Sequence, residues 1–215
     1  MKTFTIGKKK IVLKEEWMVG FITTWIVGLL AHAYRFFNFL PIWDSIYNFT
    51  GVGSTYTLGR WFLGYAGLIT SMFDLPWVNG AFSLFYISIV VILLTEMFEI
   101  KNKGMIVLCA AIFVSFPTVV SSFAYMYTAD AYLLAFLLAT LAVYLTWCVK
   151  KWGTIAGMVC LAFAMGIYQA YATVAIVLVL LYIIRQFVIE KLDFLEAVRK
   201  DLKYLGMLVG GAVLY

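Results

Sequence analysis

A chain of 215 residues in which 65% of the side chains are hydrophobic and 13% are charged does not have the composition of a soluble globular domain. It lacks the polar side chains that would cover a core of this size in water. The net charge of +5 falls in short clusters between apolar runs. This pattern argues against nucleic acid as a partner and is typical of a membrane protein with charged loops.

Apolar runs that are long enough to cross a bilayer, which takes about 20 helical residues, recur along the chain. They lie at residues 17–34, 77–98, 104–123, 131–149 and 154–184, and a last one begins at Tyr204. The run 154–184 is too long for one crossing, so we expect it to break near residues 166–171 into two helices. Pro117 is expected to kink the third run. The sequence predicts an all-α polytopic membrane protein, with about six or seven transmembrane helices in a single membrane domain over residues 1–215.

The basic residues predict the orientation of this domain. With a cytoplasmic N-terminus, every Lys and Arg except Arg35 and Arg60 falls on the cytoplasmic side, as membrane proteins prefer. Residues 1–16 are then a cytoplasmic tail. Residues 185–203 space apolar side chains among charges, which predicts an amphipathic helix on the inner leaflet.

Residues 35–76 follow the first span and contain no uninterrupted apolar run. Many of them are aromatic, and a Gly-rich turn occupies residues 51–55. We expect an outer loop that carries short interfacial helices, at residues 43–49 and 58–72, with Trp and Tyr side chains at the level of the lipid headgroups.

Three acidic residues fall on the outer side in this map, namely Asp44, Asp74 and Asp130. A carboxylate at Asp44, among residues expected to bury in the interface, is costly without a partner or a task. Asp44 suits a general base toward a hydroxyl group, although chemistry alone favours the alternative that it is the N-cap of a helix that begins at Ser45. Asp130 is open to two interpretations as well: a helix cap, or a carboxylate that binds sugar hydroxyls beside stacking tyrosines.

The loop and the predicted break contribute further polar candidates. Arg60, beside Trp61, can hold a phosphate with a fork of donors, or its side chain can simply reach to lipid headgroups. Arg35, at the end of the first span, suits membrane anchoring and is kept as a candidate for substrate binding. Tyr168 and Gln169 either line a cavity at the break or satisfy freed backbone groups. No spacing of His, Cys or acidic residues predicts a metal site or a cofactor.

Several segments, in their order and spacing, resemble the bacterial glucosyl transferase II family, the membrane-embedded enzymes known from O-antigen serotype conversion. The segments are Trp43-Asp44-Ser45, Gly59-Arg60-Trp61, Phe116-Pro117, Tyr127-Thr128-Ala129-Asp130-Ala131-Tyr132 and Gly166-Ile167-Tyr168-Gln169-Ala170. The resemblance implies the type C glycosyltransferase fold. It also implies transfer of a sugar, expected to be glucose, from a polyprenyl-phosphate donor to O-antigen or another cell-surface polysaccharide. The reaction would take place at the outer face of the bacterial plasma (inner) membrane.

Carried onto this sequence, the resemblance makes Asp44 the base that deprotonates the acceptor hydroxyl and Arg60 the group that holds the departing lipid phosphate. Asp130, Tyr168 and Gln169 would orient the sugar. A single acid stands at Asp44 where an adjacent acidic pair would suggest a metal, so a divalent ion cannot be inferred. The family members carry further spans, so we expect this chain to be an N-terminal half.

Two other classes of protein fit the same sequence. A transporter or flippase of lipid-linked saccharide would also use a broken helix, because transporters build their substrate sites from such breaks. A non-catalytic membrane scaffold would need neither Asp44 nor Arg60. Membrane lipids, the lipid-linked sugar donor and the glycan acceptor are the expected partners of the transferase.

Overall fold

The computed structural model describes residues 2–6, 9–47, 57–191 and 193–215. A two-stranded antiparallel ribbon, β1 at Lys2–Ile6 and β2 at Lys9–Leu13, precedes the first helix. The helices are α1 Glu15–Phe37, α2 Trp43–Tyr47, α3 Leu63–Ala66, α4 Pro76–Met97, α5 Lys103–Ser115, α6 Pro117–Ser122, α7 Met126–Cys148, α8 Gly153–Ile167, α9 Ala172–Arg185 and α10 Phe194–Leu214. Apart from the ribbon, the predicted all-helical architecture is confirmed for the described residues.

Four helical stretches in the described part of the chain are long and apolar enough to cross a membrane. They are Glu15–Phe37, Pro76–Met97, Pro117–Cys148 and Gln169–Glu190. Lys103–Ser115 and Gly153–Ile167 are apolar but shorter, and each rises only about 20 Å at 1.5 Å per residue. The protein is therefore a helical, polytopic membrane protein.

The long apolar run breaks where the sequence predicts a break. Helix α8 ends at Ile167, and Tyr168 has extended backbone angles, with φ at −158° and ψ at 120°. A 3-10 turn at Gln169–Tyr171 then leads into α9. Because the chain reverses here, α8 and α9 run in opposite directions, and the backbone leaves the helical ladder at one end of the bundle.

The third predicted span is not one kinked helix. It is divided into two separate helices at Pro117. Helix α5 ends at Ser115, Phe116 is extended, and Pro117 begins the separate short helix α6. A residue before proline is pushed out of the helical region, and proline itself suits the first position of a helix. A 3-10 turn at Phe123–Tyr125 then connects α6 to α7.

Helix α7 lies at the centre and contributes to two apolar cores. At one end of the molecule, Phe36, Leu84 and Phe123 pack against the first turns of α7, in a core shared with α1, α4 and α5. Toward the other end, Leu161 and Tyr204 pack against the second half of α7, in a core shared with α8, α9 and α10. The helices are thus held in one bundle around α7.

Charged side chains separate to the two ends of this bundle. At one end, which we call the basic end, ion pairs join Lys14 to Glu96 at 2.7 Å, Lys103 to Glu15 at 3.0 Å and Arg185 to Glu99 at 3.1 Å. Arg35 and Arg60 lie at the opposite end, where α1 and α8 finish and α4, α7 and α9 begin. We call this the polar end.

The C-terminal region differs from the predicted amphipathic helix at residues 185–203. Helix α9 continues as a π-helical turn, Gln186–Glu190, and the chain reverses at Lys191, which has a φ of 52°. Helix α10 then runs without interruption through the predicted start of the last span. No Gly or Pro lies in its charged half, and a hydrogen bond of 3.1 Å between Gln186 and Asp201 fixes that half against the end of α9.

The outer loop also differs from its predicted form. In place of an interfacial helix over residues 58–72, only the single turn α3 is helical, and irregular turns follow it. Ser71 and Met72 both have positive φ angles, of 51° and 56°, which no helix tolerates. The predicted helix at residues 43–49 appears as α2, and the Gly-rich turn at residues 51–55 lies outside the described residues.

Candidate functional site

The loop before α3 packs against the break between α8 and α9. The backbone N–H of Phe62 donates a hydrogen bond of 2.8 Å to the carbonyl oxygen of Gly166. A Cβ at Gly166 would lie 2.6 Å from the indole ring of Trp61, so glycine allows this close approach. The guanidinium of Arg60 lies over the ring of Tyr168, at 4.5 Å from its centroid. Two of the segments that carry the family resemblance, about a hundred residues apart, are therefore in direct contact.

Tyrosines from the start of α7 complete this side of the polar end. The ring of Tyr132 lies 5.6 Å from that of Tyr168, between ring centroids. Tyr127 packs against the apolar cluster that contains Leu63 and Ile167. Asp44 lies in α2, which follows the end of α1. The structure thus brings the Arg60 guanidinium, the Asp44 carboxylate and the phenol groups of Tyr127, Tyr132 and Tyr168 to the same end of the bundle.

Asp44 lies inside the first turn of α2 and is exposed. The helix begins at Trp43, so the prediction that Asp44 caps a helix starting at Ser45 is wrong. The hydroxyl group of Ser45 instead closes the turn, because it accepts from the N–H of Ile42 at 3.0 Å and donates to the carbonyl of Ile42 at 2.9 Å. An exposed carboxylate in a short, self-closed turn is accessible to a hydroxyl group of another molecule.

Arg35 is engaged with backbone carbonyls. Its Nε donates to Phe123 at 2.8 Å, one terminal nitrogen donates to Ala124 at 3.2 Å, and the other donates to Leu40. These bonds connect the end of α1 with the 3-10 turn before α7 and with the segment that leads to α2. The predicted role of Arg35 in substrate binding therefore competes with a visible role in holding the polar end together.

Asp130 lies inside the protein, with only 3% of its surface exposed. Its two carboxylate oxygens accept hydrogen bonds from Thr70 at 3.1 Å and from Asn79 at 3.2 Å. The side-chain oxygen of Asn79 in turn accepts from the backbone N–H of Leu75 at 2.9 Å. Asp130 thereby joins α7 to the start of α4 and to the loop. Because Asp130 is buried and both of its oxygens are bonded within the protein, its position does not favour the predicted contact with a sugar.

Gln169 holds the Arg60 loop. Its side-chain nitrogen lies 2.6 Å from the carbonyl oxygen of Leu58 and 2.6 Å from the hydroxyl oxygen of Tyr215, the last residue of the chain. The Tyr215 hydroxyl donates to the carbonyl of Gly59 at 2.9 Å. The donor group of Gln169 is therefore occupied within the protein.

The sequence does not single out Thr70, Asn79 or Tyr215, and Gly59 stands out there only as part of the Gly59-Arg60-Trp61 segment. No local pattern indicates the first three residues, because each makes its contact with a residue far away in the chain. Gly59 does carry one weak local signal, because a glycine in a loop often adopts a backbone angle that other residues avoid. Its φ is +75°.

The arrangement suits the binding of a phosphorylated sugar. Among the described residues, no three His, Cys, Asp or Glu side chains come together to hold a metal ion. A guanidinium that stacks its face on an aromatic ring can still bind a phosphate through the N–H groups at its edge. The neighbouring phenol rings provide stacking surfaces and hydroxyl groups for a sugar.

Comparison with known proteins agrees with this chemistry. The model of one protein family, described as glucosyl transferase GtrII, matches residues 33–215. No curated protein and no solved structure matches the chain. The family match covers α1 from its final turn onward and all the residues of the polar end described above.

Proposed function

The chain belongs to the glucosyl transferase GtrII family, and on that premise we propose that it transfers glucose from a polyprenyl-phosphate donor to a cell-surface glycan such as O-antigen. The family makes the protein a glycosyltransferase of the membrane. The donor, the acceptor and the side of the membrane are proposals. Transfer at the outer face of a bacterial plasma membrane is favoured by the separation of basic residues to the end opposite Asp44 and Arg60.

One observation supports the assignment above the others: the Arg60 guanidinium stacks on Tyr168 at the same end of the bundle as the exposed carboxylate of Asp44. A cation and an exposed carboxylate at one end of a membrane bundle provide the two functions that transfer from a lipid phosphate needs. One group must stabilise the leaving phosphate, and the other must accept a proton from the attacking hydroxyl.

In the proposed reaction, the Asp44 carboxylate takes the proton of an acceptor hydroxyl. The acceptor oxygen forms a bond to the anomeric carbon of glucose, while the bond from that carbon to the phosphate oxygen breaks. The electron pair of that bond leaves with the lipid phosphate, and the guanidinium of Arg60 binds the negative charge that collects there. The proton remains on Asp44 until the product departs.

The buried or occupied side chains receive supporting roles in this proposal. Tyr168 and Tyr132 are the groups that contact the sugar, through their rings and hydroxyls. Asp130 and Gln169 act as positioning residues, because their polar atoms already bond within the protein. Arg35 likewise fixes the segment that leads to Asp44.

The substitution Asp44→Asn tests the assigned base. It preserves the shape of the side chain and removes its ability to accept a proton, so glucose transfer in membranes should fall by about a hundredfold or more. Transfer from a radiolabelled polyprenyl-phosphate glucose to the host polysaccharide measures this. Asp193→Asn is the matched control, since Asp193 is an exposed acid before α10 at the basic end.

The same pair of variants separates the transferase from a flippase of lipid-linked saccharide. A flippase would move the lipid-linked sugar across proteoliposomes with either asparagine variant and would transfer no glucose. Normal transfer by the Asp44→Asn protein would contradict the assigned base.

A further inference from the structure

A closed set of three hydrogen bonds holds the two residues that precede Arg60. Gln169 donates to the carbonyl of Leu58 and to the hydroxyl oxygen of Tyr215, at 2.6 Å in each case. Tyr215 donates to the carbonyl of Gly59 at 2.9 Å. The loop, the 3-10 turn after α8 and the end of α10 are joined by these bonds, which we call the Tyr215 clamp.

The backbone at Gly59 is shaped for this clamp. Its φ of +75° lies in the left-handed region, and a Cβ at this position would lie 2.7 Å from the side-chain nitrogen of Gln169. A larger residue would strain the backbone and push the clamp open. Glycine at this position therefore fits both the angle and the closeness of Gln169 and Tyr215.

The clamp acts on the residue that follows it. Gly59, which the clamp holds, directly precedes Arg60, and Phe62, two residues after Arg60, donates its backbone N–H to the carbonyl oxygen of Gly166 at 2.8 Å. With the backbone held on both sides, the Arg60 side chain extends to Tyr168 and its guanidinium lies over that ring. A long, flexible side chain becomes preorganised when its backbone and stacking partner are both fixed.

We propose that Tyr215 is a positioning residue for transfer, which sets the Arg60 guanidinium where the departing phosphate develops its charge. This inference rests on the proposed function. Tyr215 itself touches no substrate in it. Its hydroxyl is required because it is the one group in the clamp that both accepts from Gln169 and donates to Gly59.

The substitution Tyr215→Phe removes this hydroxyl and keeps the ring. We expect kcat for transfer to fall roughly tenfold, with little change in KM for the donor, because the lost alignment matters most in the transition state. Tyr34→Phe is the control, since Tyr34 is exposed on α1 and lies outside the clamp. The assays use the whole protein in membranes.

A double-mutant cycle distinguishes positioning from general destabilisation. In an Arg60→Lys background, which keeps a cation but lacks the fork of donors, Tyr215→Phe should reduce kcat by less than twofold, because there is no longer a fork to align. An equal tenfold loss in both backgrounds would overturn the proposal, since Tyr215 would then act independently of Arg60.

Limited trypsin digestion provides a readout that does not depend on activity. Cleavage after Arg60 should be several-fold faster in the Tyr215→Phe protein than in the wild type, because the loop is released. Unchanged cleavage, or faster cleavage without a fall in kcat, would overturn the positioning role. Faster cleavage in a protein whose wild type transfers no glucose would instead refute the proposed function and leave the clamp as a structural contact.

Discussion

Asp130 shows how a single polar residue can be important without touching a substrate. Its sequence context, between tyrosines at the start of a span, predicts either a helix cap or a sugar site. In the structure it is buried and accepts from Thr70 and Asn79. A buried carboxylate with partners on two other segments fixes those segments, because leaving any of the three groups unpaired is costly.

Asp130→Ala should therefore destabilise the protein by roughly 1 to 3 kcal/mol, since it leaves the amide donor of Asn79 unpaired inside the bundle and limits the Thr70 hydroxyl to its local bond with Gly67. Thermal unfolding of the detergent-solubilised protein, followed by size-exclusion chromatography, measures this. Asp130→Asn is the matched variant. Its oxygen can still accept from Asn79 and its amide can donate to the hydroxyl of Thr70, so its melting temperature should stay close to that of the wild type. Equal melting temperatures for Asp130→Ala and the wild type would show that the hydrogen bonds of Asp130 do not stabilise the bundle.

At the scale of the helices, close crossings depend on glycine. Helix α8 approaches α7 so tightly at Gly157 that a Cβ would lie 2.7 Å from the carbonyl oxygen of Ala142 and 2.6 Å from the hydroxyl oxygen of Thr146. Small residues at such positions let membrane helices pack through their backbones. The approach also places the end of α8, with Tyr168, beside the start of α7, with Tyr132.

Gly157→Val should separate α7 from α8, because its side chain meets a backbone carbonyl that cannot move aside. We expect a loss of about 1 to 3 kcal/mol in stability and a matching loss of folded protein in membranes. Gly206→Val is the control, since a Cβ at Gly206 on α10 has no atom within 4 Å. Similar yields and melting temperatures for the two variants would show that the α7–α8 crossing tolerates expansion.

Two helical runs are interrupted, after α8 and at Pro117. The sequence predicts the first interruption correctly and underestimates the second. The break after α8 follows from length, because a run over residues 154–184 exceeds one crossing. At Pro117 the sequence predicts a kink, but the helix stops and a new one starts. Whether a proline bends or ends a helix depends on what packs around it, and here Val119 and Phe123 turn into the core beside α1 and α4.

At the scale of the whole molecule, the separation of charges between two ends predicts one orientation in the membrane. With the basic end in the cytoplasm, a cysteine at Phe39, which is exposed between α1 and α2, should react with a membrane-impermeant maleimide added to spheroplasts. A cysteine at Lys101, between α4 and α5, should react only after lysis. Both substitutions are made in a chain whose native cysteines Cys109, Cys148 and Cys160 are replaced by serine.

Labelling at Lys101 in intact spheroplasts, with protection at Phe39, would reverse the orientation. It would place Asp44 and Arg60 in the cytoplasm and remove the proposed site from the outer glycan. Labelling at both positions in intact cells would indicate that the spheroplasts leak, and a cytoplasmic marker enzyme detects that case.

The sequence by itself determines that this is a helical membrane protein, where its apolar runs lie, and which end collects the basic residues. These properties are local, since they depend on the length and composition of short segments. The family resemblance also points to Asp44 and Arg60. Only the tertiary structure decides that Asp130 is buried between α4 and α7, and that Arg35 and Gln169 bond to the backbone of distant segments. The Tyr215 clamp around Gly59 is also decided only by the tertiary structure. Each of its bonds joins residues far apart in the chain, so the sequence of one segment does not identify the segment that it contacts.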